Sequence, residues 1–418
     1  MRRSVLWAVL CAAMPLTSAG ARILIPMDLA QTNHLMAYGV AYHALQRGEE
    51  LEWLLNYRGG SFLMDDEEAT RRDCALAGVA WEEKGGAEAV AILDEIEKSN
   101  MEVVLLEKAP TIAVYVPPSD DPWDDAVVLA LEYAEIPYDK LWDEEVLGGV
   151  LPRYDWLHLH HEDFTGQYGK FYASYHSAPW YIEQVRMNEK EAAKNGYRKV
   201  WQLKHAVAGR IKEYIAQGGF VFSMCSATDS FDIALAADGV DIVDSVYDGD
   251  APEAGCERKL DPSRGLAFTD YRLEMNPLVY EYSDIDMTRE ASLRGQDNDF
   301  FNLFDFSAKE DPVPTMLTQC HVNVVRGFMG QTTSFRKSLL KKSVVILAEV
   351  PGQDEVRYIH GNYGNGTFTF YGGHDPEDYQ HQVGDPPTQL ELHPGSPGYR
   401  LILNNILFPA AKKQERKT

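Results

Sequence analysis

Beyond its N-terminus the chain has no long apolar run, and it has few basic residues. After residue 21, no stretch of the 418-residue sequence is long and apolar enough to predict a transmembrane helix. The 39 basic residues are outnumbered by 64 acidic ones, which gives a formal net charge of -25 at pH 7. Because a surface of this sign repels nucleic-acid phosphates and anionic membranes, we expect neither as a partner.

The cysteine spacing also excludes the common zinc motifs. Past the N-terminal segment the cysteines are far apart and include no Cys-x-x-Cys pair: Cys74, Cys225, Cys256 and Cys320. In an oxidising compartment we expect Cys256 to pair with Cys320, because both fall in the irregular region after residue 247. That pairing would leave Cys225 as a free thiol.

The N-terminus has the three parts of a secretory signal peptide. Arginines at positions 2 and 3 precede the mostly apolar residues 5–16, and residues 19–21 read Ala-Gly-Ala, a small-residue cleavage site. We therefore predict cleavage before Arg22 and an exported, soluble protein, either periplasmic or extracellular.

Strand-like and helix-like segments alternate along most of the chain, which predicts an α/β fold. Such alternation is typical of a mostly parallel sheet with helices on both faces. The predicted organisation is a signal peptide at 1–21, an N-terminal βαβ-like portion at 22–110, an α/β core at 111–247 and 343–410, an irregular insertion at 248–342 and a basic tail at 411–418.

A sharp strand-to-helix elbow is predicted at Cys225. Apolar residues 220–222 lead into the turn, and helical spacing resumes soon after it. Ser223 and Ala227, two positions before and after the cysteine, are small, as the close backbones of an elbow require. In this interpretation Cys225 is a nucleophile and the backbone N–H of Ser226 faces an oxyanion. The alternative is an ordinary buried thiol at a strand end.

A cysteine nucleophile needs a base, and His374 is the best-placed histidine because it follows a predicted strand and two glycines. The base in turn needs an acceptor that orients its ring, and Asp375, Glu377 and Glu162 are candidates. The alternative is a loop histidine that caps a turn.

Together, the cysteine elbow and the distant strand-His segment resemble the class I glutamine amidotransferase-like superfamily, over roughly residues 111–377. The resemblance implies a flavodoxin-like sheet that carries a triad of Cys225, His374 and Glu377. Two features differ from the family pattern. The residues that flank the nucleophile are small but are not glycines, and Glu377 lies one position later than in the family's His-Pro-Glu sequence.

The chain after residue 21 also resembles a group of exported bacterial proteins called asparagine synthetase B. The segments that carry this resemblance are ILIPMD, LLNYRGGSF, HLHHEDFTGQYGKFY, FVFSMCSATDSFDIA and TFTFYGGHDPEDYQH. A true asparagine synthetase of this type begins with a catalytic cysteine and contains an SGGxDS pyrophosphate loop. Because this chain would begin with Arg22 and has no such loop, the resemblance does not imply ATP-dependent synthesis.

Histidines cluster in the segment HLHHED at 158–163. On a strand, His158 and His160 share one face while His161 points to the other. Candidate ligands for zinc or another divalent ion are His160, His161 and Glu162, completed by His176, His374 or His381. The spacing is not a recognised metal motif, so the alternative is a set of polar groups that lines the sheet edge.

Residues 164–185 are rich in aromatic side chains. They could form a lid or a sugar-stacking platform over the sheet edge, or they could pack this excursion onto the body of the protein, which is the commoner use of aromatic residues.

These patterns give three functional hypotheses. The first is an exported, cofactor-independent hydrolase or amidotransferase-like protein, in which Cys225 attacks an amide-like or ester-like carbonyl of a small-molecule, glycan or peptide substrate. The second is a non-catalytic glycan- or peptide-binding module in which Cys225 is structural. The third is a metal-dependent hydrolase.

Overall fold

The computed structural model describes residues 20–118, 122–311 and 319–411. The predicted signal peptide and the predicted basic tail lie almost entirely outside these ranges. Over the described ranges, none of the helices combines the length and the apolar character needed to cross a membrane.

The strands are β1 (Arg22–Ile25), β2 (Leu51–Leu55), β3 (Ser61–Asp65), β4 (Glu82–Lys84), β5 (Glu102–Leu106), β6 (Ile112–Tyr115), β7 (Asp139–Leu141), β8 (Trp156–Leu159), β9 (Phe220–Met224), β10 (Phe300–Leu303), β11 (Val324–Arg326), β12 (Phe335–Arg336), β13 (Val345–Glu349), β14 (Glu355–Tyr363) and β15 (Gly366–Tyr371). The α-helices are α1 (His34–Gln46), α2 (Glu68–Ala77), α3 (Gly86–Lys98), α4 (Ala126–Tyr133), α5 (Asp143–Leu147), α6 (Tyr172–Tyr175), α7 (Pro179–Lys194), α8 (Val200–Gln217), α9 (Asp229–Ala236), α10 (Ser245–Asp248), α11 (Thr288–Arg294) and α12 (Pro397–Leu407).

The N-terminal strands form a separate five-stranded sheet in the order β4-β1-β3-β2-β5, in which every neighbouring pair is antiparallel. The predicted βαβ portion is therefore wrong. Strands β1 and β2 run in the same direction, but β3 folds back from β2 and lies between them. Apolar periodicity identifies a strand without identifying its partner, so the sequence pattern could not show this pairing.

The remaining strands form one large sheet in the order β11-β10-β13-β14-β15-β9-β8-β6-β7, with β12 paired to β14. Pairing is parallel from β7 to β15 and antiparallel beyond β15. The predicted mostly parallel, flavodoxin-like sheet is therefore wrong, because this sheet is mixed and the small sheet is antiparallel. Tight connections, such as the one between β14 and β15, can join only antiparallel neighbours.

The region at 248–342, predicted as an irregular insertion, extends the antiparallel side of the large sheet. Its strands β10 and β12 pair with β13 and β14. The loop between β11 and β12 then passes over the end of the elbow strand, where it contributes to the site described below.

The elbow strand β9 is buried on both faces of the large sheet. Phe222 packs in a cluster that contains residues of α1, α4 and α12, whereas Val221 packs in a second cluster with residues of α8 and α9. Helix α12 also ties the two sheets together: the Arg400 guanidinium donates to the carbonyl of Met27 (2.8 Å) and to the hydroxyl of Tyr38 (2.9 Å). β9 is thus enclosed by packed helices on both faces of the sheet.

All four cysteines in the described residues are free thiols. The predicted bridge between Cys256 and Cys320 is therefore absent. The Cys320 sulfur instead lies 3.7 Å from the carbonyl oxygen of Pro397.

Candidate functional site

Cys225 lies at the tip of a strand–turn–helix elbow. It follows β9 directly, has a left-handed backbone with φ of 49°, and begins a short 3-10 turn that leads to α9. A non-glycine residue in this conformation costs on the order of 1–3 kcal/mol and persists only where the surroundings hold it. Here the Cys225 N–H donates to the carbonyl of Gly373 (3.1 Å), and the Ala227 N–H donates to the carbonyl of His160 (3.0 Å).

The structure brings His374 to Cys225, because β15 is the parallel neighbour of β9. Tyr371 at the end of β15 is in register with Met224 at the end of β9, so both chains leave the sheet at the same edge. Gly373 has φ of 98°, and a Cβ there would lie 2.5 Å from the ring of Phe328. The tight passage therefore requires glycine at this position. His374 is 7% exposed, and its imidazole lies close enough to the Cys225 thiol to lower the pKa of that thiol.

A loop that was expected to be irregular supplies a further group at the sulfur. The backbone N–H of Gln331 lies 3.3 Å from Cys225 Sγ. The Gln331 amide nitrogen donates to the carbonyls of Gly169 (2.6 Å) and Tyr280 (3.2 Å), which fixes the loop. Ser226, the predicted oxyanion donor, directly follows Cys225 and is fully buried.

Electrostatics favour a thiolate–imidazolium pair. Burial alone would raise the pKa of Cys225, but the hydrogen bond and charge of His374, with the N–H of Gln331, lower it. Burial alone would lower the pKa of His374, but the Asp124 carboxylate and the Cys225 sulfur raise it to about 10. A thiolate is the reactive form of cysteine, so the surroundings suit a nucleophile.

Asp124 is the carboxylate that faces the His374 ring. Its Oδ1 lies 3.7 Å from His374 Nε2, which is an ion-pair distance rather than a hydrogen bond, and 3.1 Å from His381 Nε2. The Asp124 side chain is 8% exposed. Burial would raise the pKa of this carboxyl, but His374 and His381 lower it.

The two glutamates predicted to orient His374 lie elsewhere. Glu377 Oε2 is 3.0 Å from Nδ1 of His393, at the outer side of the loop. Glu162 Oε2 accepts a hydrogen bond from the backbone N–H of His160 (3.0 Å), and burial raises the pKa of this carboxyl. Neither carboxylate is brought to the His374 ring.

The histidine cluster lies directly beside Cys225 and His374. The ring centroid of His160 is 4.6 Å from that of His374, and Nδ1 of His160 is 3.0 Å from Asp125. Burial lowers the pKa of His160 to about 3, so its ring is neutral. Ligand atoms of His160, His161 and His374 lie within 4.8 Å of one another. Of the predicted metal ligands, His160 and His161 thus converge with His374, whereas Glu162 does not join this group.

A cavity of about 470 Å³ opens onto Cys225 and His374. Aromatic side chains of Trp123, Phe171 and Tyr280 line it, together with the charged groups of Glu281 and Arg289. Within the aromatic segment at 164–185, Tyr168 and Tyr181 are buried in the core, and Phe171 reaches the cavity wall. The segment therefore mainly packs, and it also contributes to the wall.

Sequence reasoning missed Asp124 and Gln331, and it named His381 only as a possible metal ligand. Asp124 lies just before α4, which begins at Ala126 with Asp125 as its N-cap. One signal could have identified Asp124. It lies between a parallel strand and the helix that follows, which is where α/β sheets place their ligands. Gln331 contacts the sulfur through its backbone, so its residue type carried no signal.

No protein-family model matches the chain, and no curated protein matches it. Among solved structures, cytoplasmic protein STM3548 from Salmonella typhimurium is similar at 11% identity and a TM-score of 0.34, over 73% of this chain and 100% of that one. Cytoplasmic protein STM1381 from Salmonella typhimurium LT2 is similar at 10% identity and a TM-score of 0.36, over 72% and 99%. A beta-galactosidase from Bacillus circulans sp. alkalophilus is similar at 13% identity and a TM-score of 0.26, over 74% and 32%. Similarities this weak do not identify the fold or the function.

Proposed function

We propose that this chain is a cysteine-dependent hydrolase that acts on an amide-like or ester-like carbonyl. The observation that carries the proposal is that Cys225 and His374 follow two neighbouring parallel strands and line one cavity, where the imidazole lowers the pKa of the thiol. A nucleophile and a base within hydrogen-bonding reach, on a strained elbow, is the arrangement that nucleophilic catalysis needs.

In the first half of the reaction, His374 accepts the Cys225 proton and the thiolate attacks the carbonyl carbon. The oxygen of the tetrahedral intermediate takes up the negative charge, and the backbone N–H groups of Gln331 and Ser226 donate to it. When the carbon–nitrogen or carbon–oxygen bond breaks, the leaving amine or alcohol takes the proton from His374. The product is a thioester on Cys225.

In the second half, His374 accepts a proton from water, and the resulting hydroxide attacks the thioester carbon. The carbon–sulfur bond breaks, the acid product leaves, and the proton returns to the Cys225 thiolate. Asp124 is the positioning residue for His374, the role that sequence analysis gave to Glu377 or Glu162. The cycle consumes one water and requires no cofactor.

The substrate is proposed to be a small molecule or a short glycan or peptide segment. A cavity of 470 Å³ lies within the range of small-ligand sites, and its aromatic wall suits a substrate with an apolar or ring-bearing portion. The resemblance of the elbow and the strand-His segment to glutamine amidotransferases supports the same acyl chemistry. The basic and apolar N-terminal residues support export, and N-terminal sequencing of the protein recovered from a secreting host should begin at Arg22.

Site-specific labelling tests the cysteine chemistry. Metal-free protein is treated with iodoacetamide, and the alkylation rate of each cysteine is followed by mass spectrometry. Cys225 should react faster than Cys74, because burial raises the pKa of Cys74 to about 12. The Cys225 rate should fall at least about tenfold in His374→Ala and stay unchanged in His393→Ala. Equal Cys225 rates in the wild type and in His374→Ala would remove the nucleophile–base pair.

The second candidate is a glycan- or peptide-binding module, favoured by the rings of Trp123, Phe171 and Tyr280 in the cavity wall. Cys225→Ser separates the two functions once a ligand is found. Binding without turnover in both the wild type and Cys225→Ser would indicate a binding module, whereas turnover that the substitution abolishes would indicate the hydrolase.

A further inference from the structure

Asp124, His374 and His381 present buried polar atoms to one another without satisfying them. Both carboxylate oxygens of Asp124 and the Nε2 atoms of His374 and His381 have no hydrogen-bond partner among the described residues. Their side chains are only 8%, 8% and 3% exposed, so water does not freely reach these atoms. Buried polar groups in proteins almost always have a partner, and a bound cation would satisfy these atoms together.

Asp378 shows which atom of His381 is available. Its Oδ2 lies 3.0 Å from His381 Nδ1, and the other ring nitrogen, Nε2, faces Asp124. A histidine that binds a metal ion through one ring nitrogen usually has its other ring nitrogen hydrogen-bonded to a carboxylate, which orients the ring.

The separations fit one tetrahedral ion. Zinc bonds of about 2.0–2.2 Å to nitrogen and carboxylate oxygen place neighbouring ligand atoms roughly 3.4 Å apart in a tetrahedron. Asp124 Oδ1 lies 3.1 Å from His381 Nε2 and 3.7 Å from His374 Nε2, on either side of this value. The ligand atoms of all three residues lie within 4.8 Å of one another.

We infer that Asp124, His374 and His381 form a binding site for a divalent transition-metal ion of the Zn²⁺ type. Two imidazoles and one carboxylate supply three ligands, and the fourth position opens toward the cavity that His374 and His381 line. This set is favoured over His160, His161 and His374 because it includes a carboxylate, whose charge offsets that of the ion.

The metal site does not require Cys225 to be a nucleophile, but occupancy would affect the proposed chemistry. A metal ion on Nε2 uses the lone pair of that nitrogen and leaves the ring proton on the other. His374 could then no longer accept the Cys225 proton. Metal binding and the cysteine reaction are therefore mutually exclusive at His374.

A cobalt titration tests the site directly. The protein is freed of metal with EDTA, the chelator is removed, and Co²⁺ is added while the visible absorption of tetrahedral Co²⁺ is recorded; Zn²⁺ should then abolish this absorption. The same spectrum and affinity are expected in Cys225→Ser, since sulfur is not a ligand. Affinity should fall at least about 100-fold in His381→Gln and in Asp124→Asn. It should fall about 10–100-fold in Asp378→Asn, which removes only the outer support.

His176→Gln is the matched control, because this exposed histidine does not line the cavity, and Co²⁺ affinity should not change. The site is overturned if the wild type binds no Co²⁺, or if both His381→Gln and Asp124→Asn bind it as tightly as the wild type.

Zinc protection of Cys225 tests the mutual exclusion. Saturating Zn²⁺ should slow iodoacetamide labelling of Cys225 at least about tenfold in the wild type, and the same Zn²⁺ concentration should give no protection in His381→Gln. Unchanged wild-type labelling with zinc bound would overturn the exclusion. If Cys225 proved unreactive in every state, the hydrolase proposal would fail, and the cobalt titration would still decide the metal site.

Discussion

The backbone N–H of Gln331 lies 3.3 Å from the sulfur of Cys225, although 106 positions separate the two residues. The side chain of Gln331 makes this approach possible, because its amide is held by the carbonyls of Gly169 and Tyr280. A backbone donor fixed at the sulfur is also close to the position that an oxyanion would occupy.

Gln331→Ala should therefore loosen the loop that holds the backbone N–H of residue 331 at the Cys225 sulfur. Loss of buried hydrogen bonds worth about 1 kcal/mol each should slow alkylation of Cys225 roughly fivefold, with a modest decrease in Tm. Gln353→Ala, at an exposed position, is the matched control and should change neither quantity. An unaltered Cys225 rate in Gln331→Ala would show that the side chain does not position the donor.

Asp124→Asn and Glu377→Gln distinguish the two candidates for positioning His374. In EDTA-treated protein, loss of the Asp124 charge should lower the Cys225 alkylation rate roughly tenfold, corresponding to about 1.4 kcal/mol. Glu377→Gln should leave the rate unchanged, because the Glu377 carboxylate pairs with His393. If Glu377→Gln slowed alkylation and Asp124→Asn did not, Glu377 would be the residue that positions His374, as the sequence predicted.

The elbow was the feature that local sequence described best. The apolar run at 220–222, the small residues Ser223 and Ala227, and a resumed helical period together predicted a strand, a turn and a helix, and the structure has β9, a 3-10 turn and α9. These signals are local, since each depends on neighbours within a few positions.

Partners that are distant in sequence could not be predicted in the same way. Strands β13, β14 and β15 are joined by short turns, which imply antiparallel pairing and contradict a mostly parallel sheet. Likewise, Glu377 was chosen by its spacing from His374, whereas Asp124 reaches the ring from the start of α4 on a different part of the sheet.

The buried histidines predict a loss of stability in mild acid. Burial lowers the pKa of His205 to about 4 and that of His360 to about 3, from an ordinary value of 6.5. Below pH 6.5 each of these histidines binds a proton in the unfolded chain but not in the folded protein. Protonation therefore favours the unfolded chain, and the free energy of unfolding falls as the pH decreases from 6.5 toward 4. The slope is at most about 1.4 kcal/mol per pH unit for each group.

His205→Leu should reduce this acid sensitivity, because neither ring nitrogen of His205 has a hydrogen-bond partner among the described residues. Urea unfolding gives the free energy of unfolding at pH 7.5 and at pH 5, and the difference between the two values is compared among variants. A change in packing caused by the substitution affects both values equally, so it cancels in the difference. The difference should shrink in His205→Leu and stay as in the wild type in the exposed control His176→Gln. An unchanged difference in His205→Leu would mean that His205 does not titrate on unfolding.

The last prediction concerns the ion pair that supports the loop over Cys225. The Arg357 guanidinium donates to both carboxylate oxygens of Asp299 (2.8 and 2.6 Å) and to the carbonyls of Phe328 (2.7 Å) and Thr333 (3.2 Å). These carbonyls flank Gln331, and the side chains of Arg357 and Asp299 are fully buried. The pair therefore couples the sheet to the loop that supplies the backbone donor.

Asp299→Ala would leave the charge of Arg357 buried next to Glu355, with its main partner gone. Removing one member of a buried pair costs about 3–5 kcal/mol, so the free energy of unfolding should fall by that amount. Glu52→Ala, which breaks the partly exposed pair with Arg22, should cost no more than about 1 kcal/mol. Chemical denaturation of both variants gives these values, and a cost in Asp299→Ala as small as that in Glu52→Ala would show that the loop is held by its other contacts.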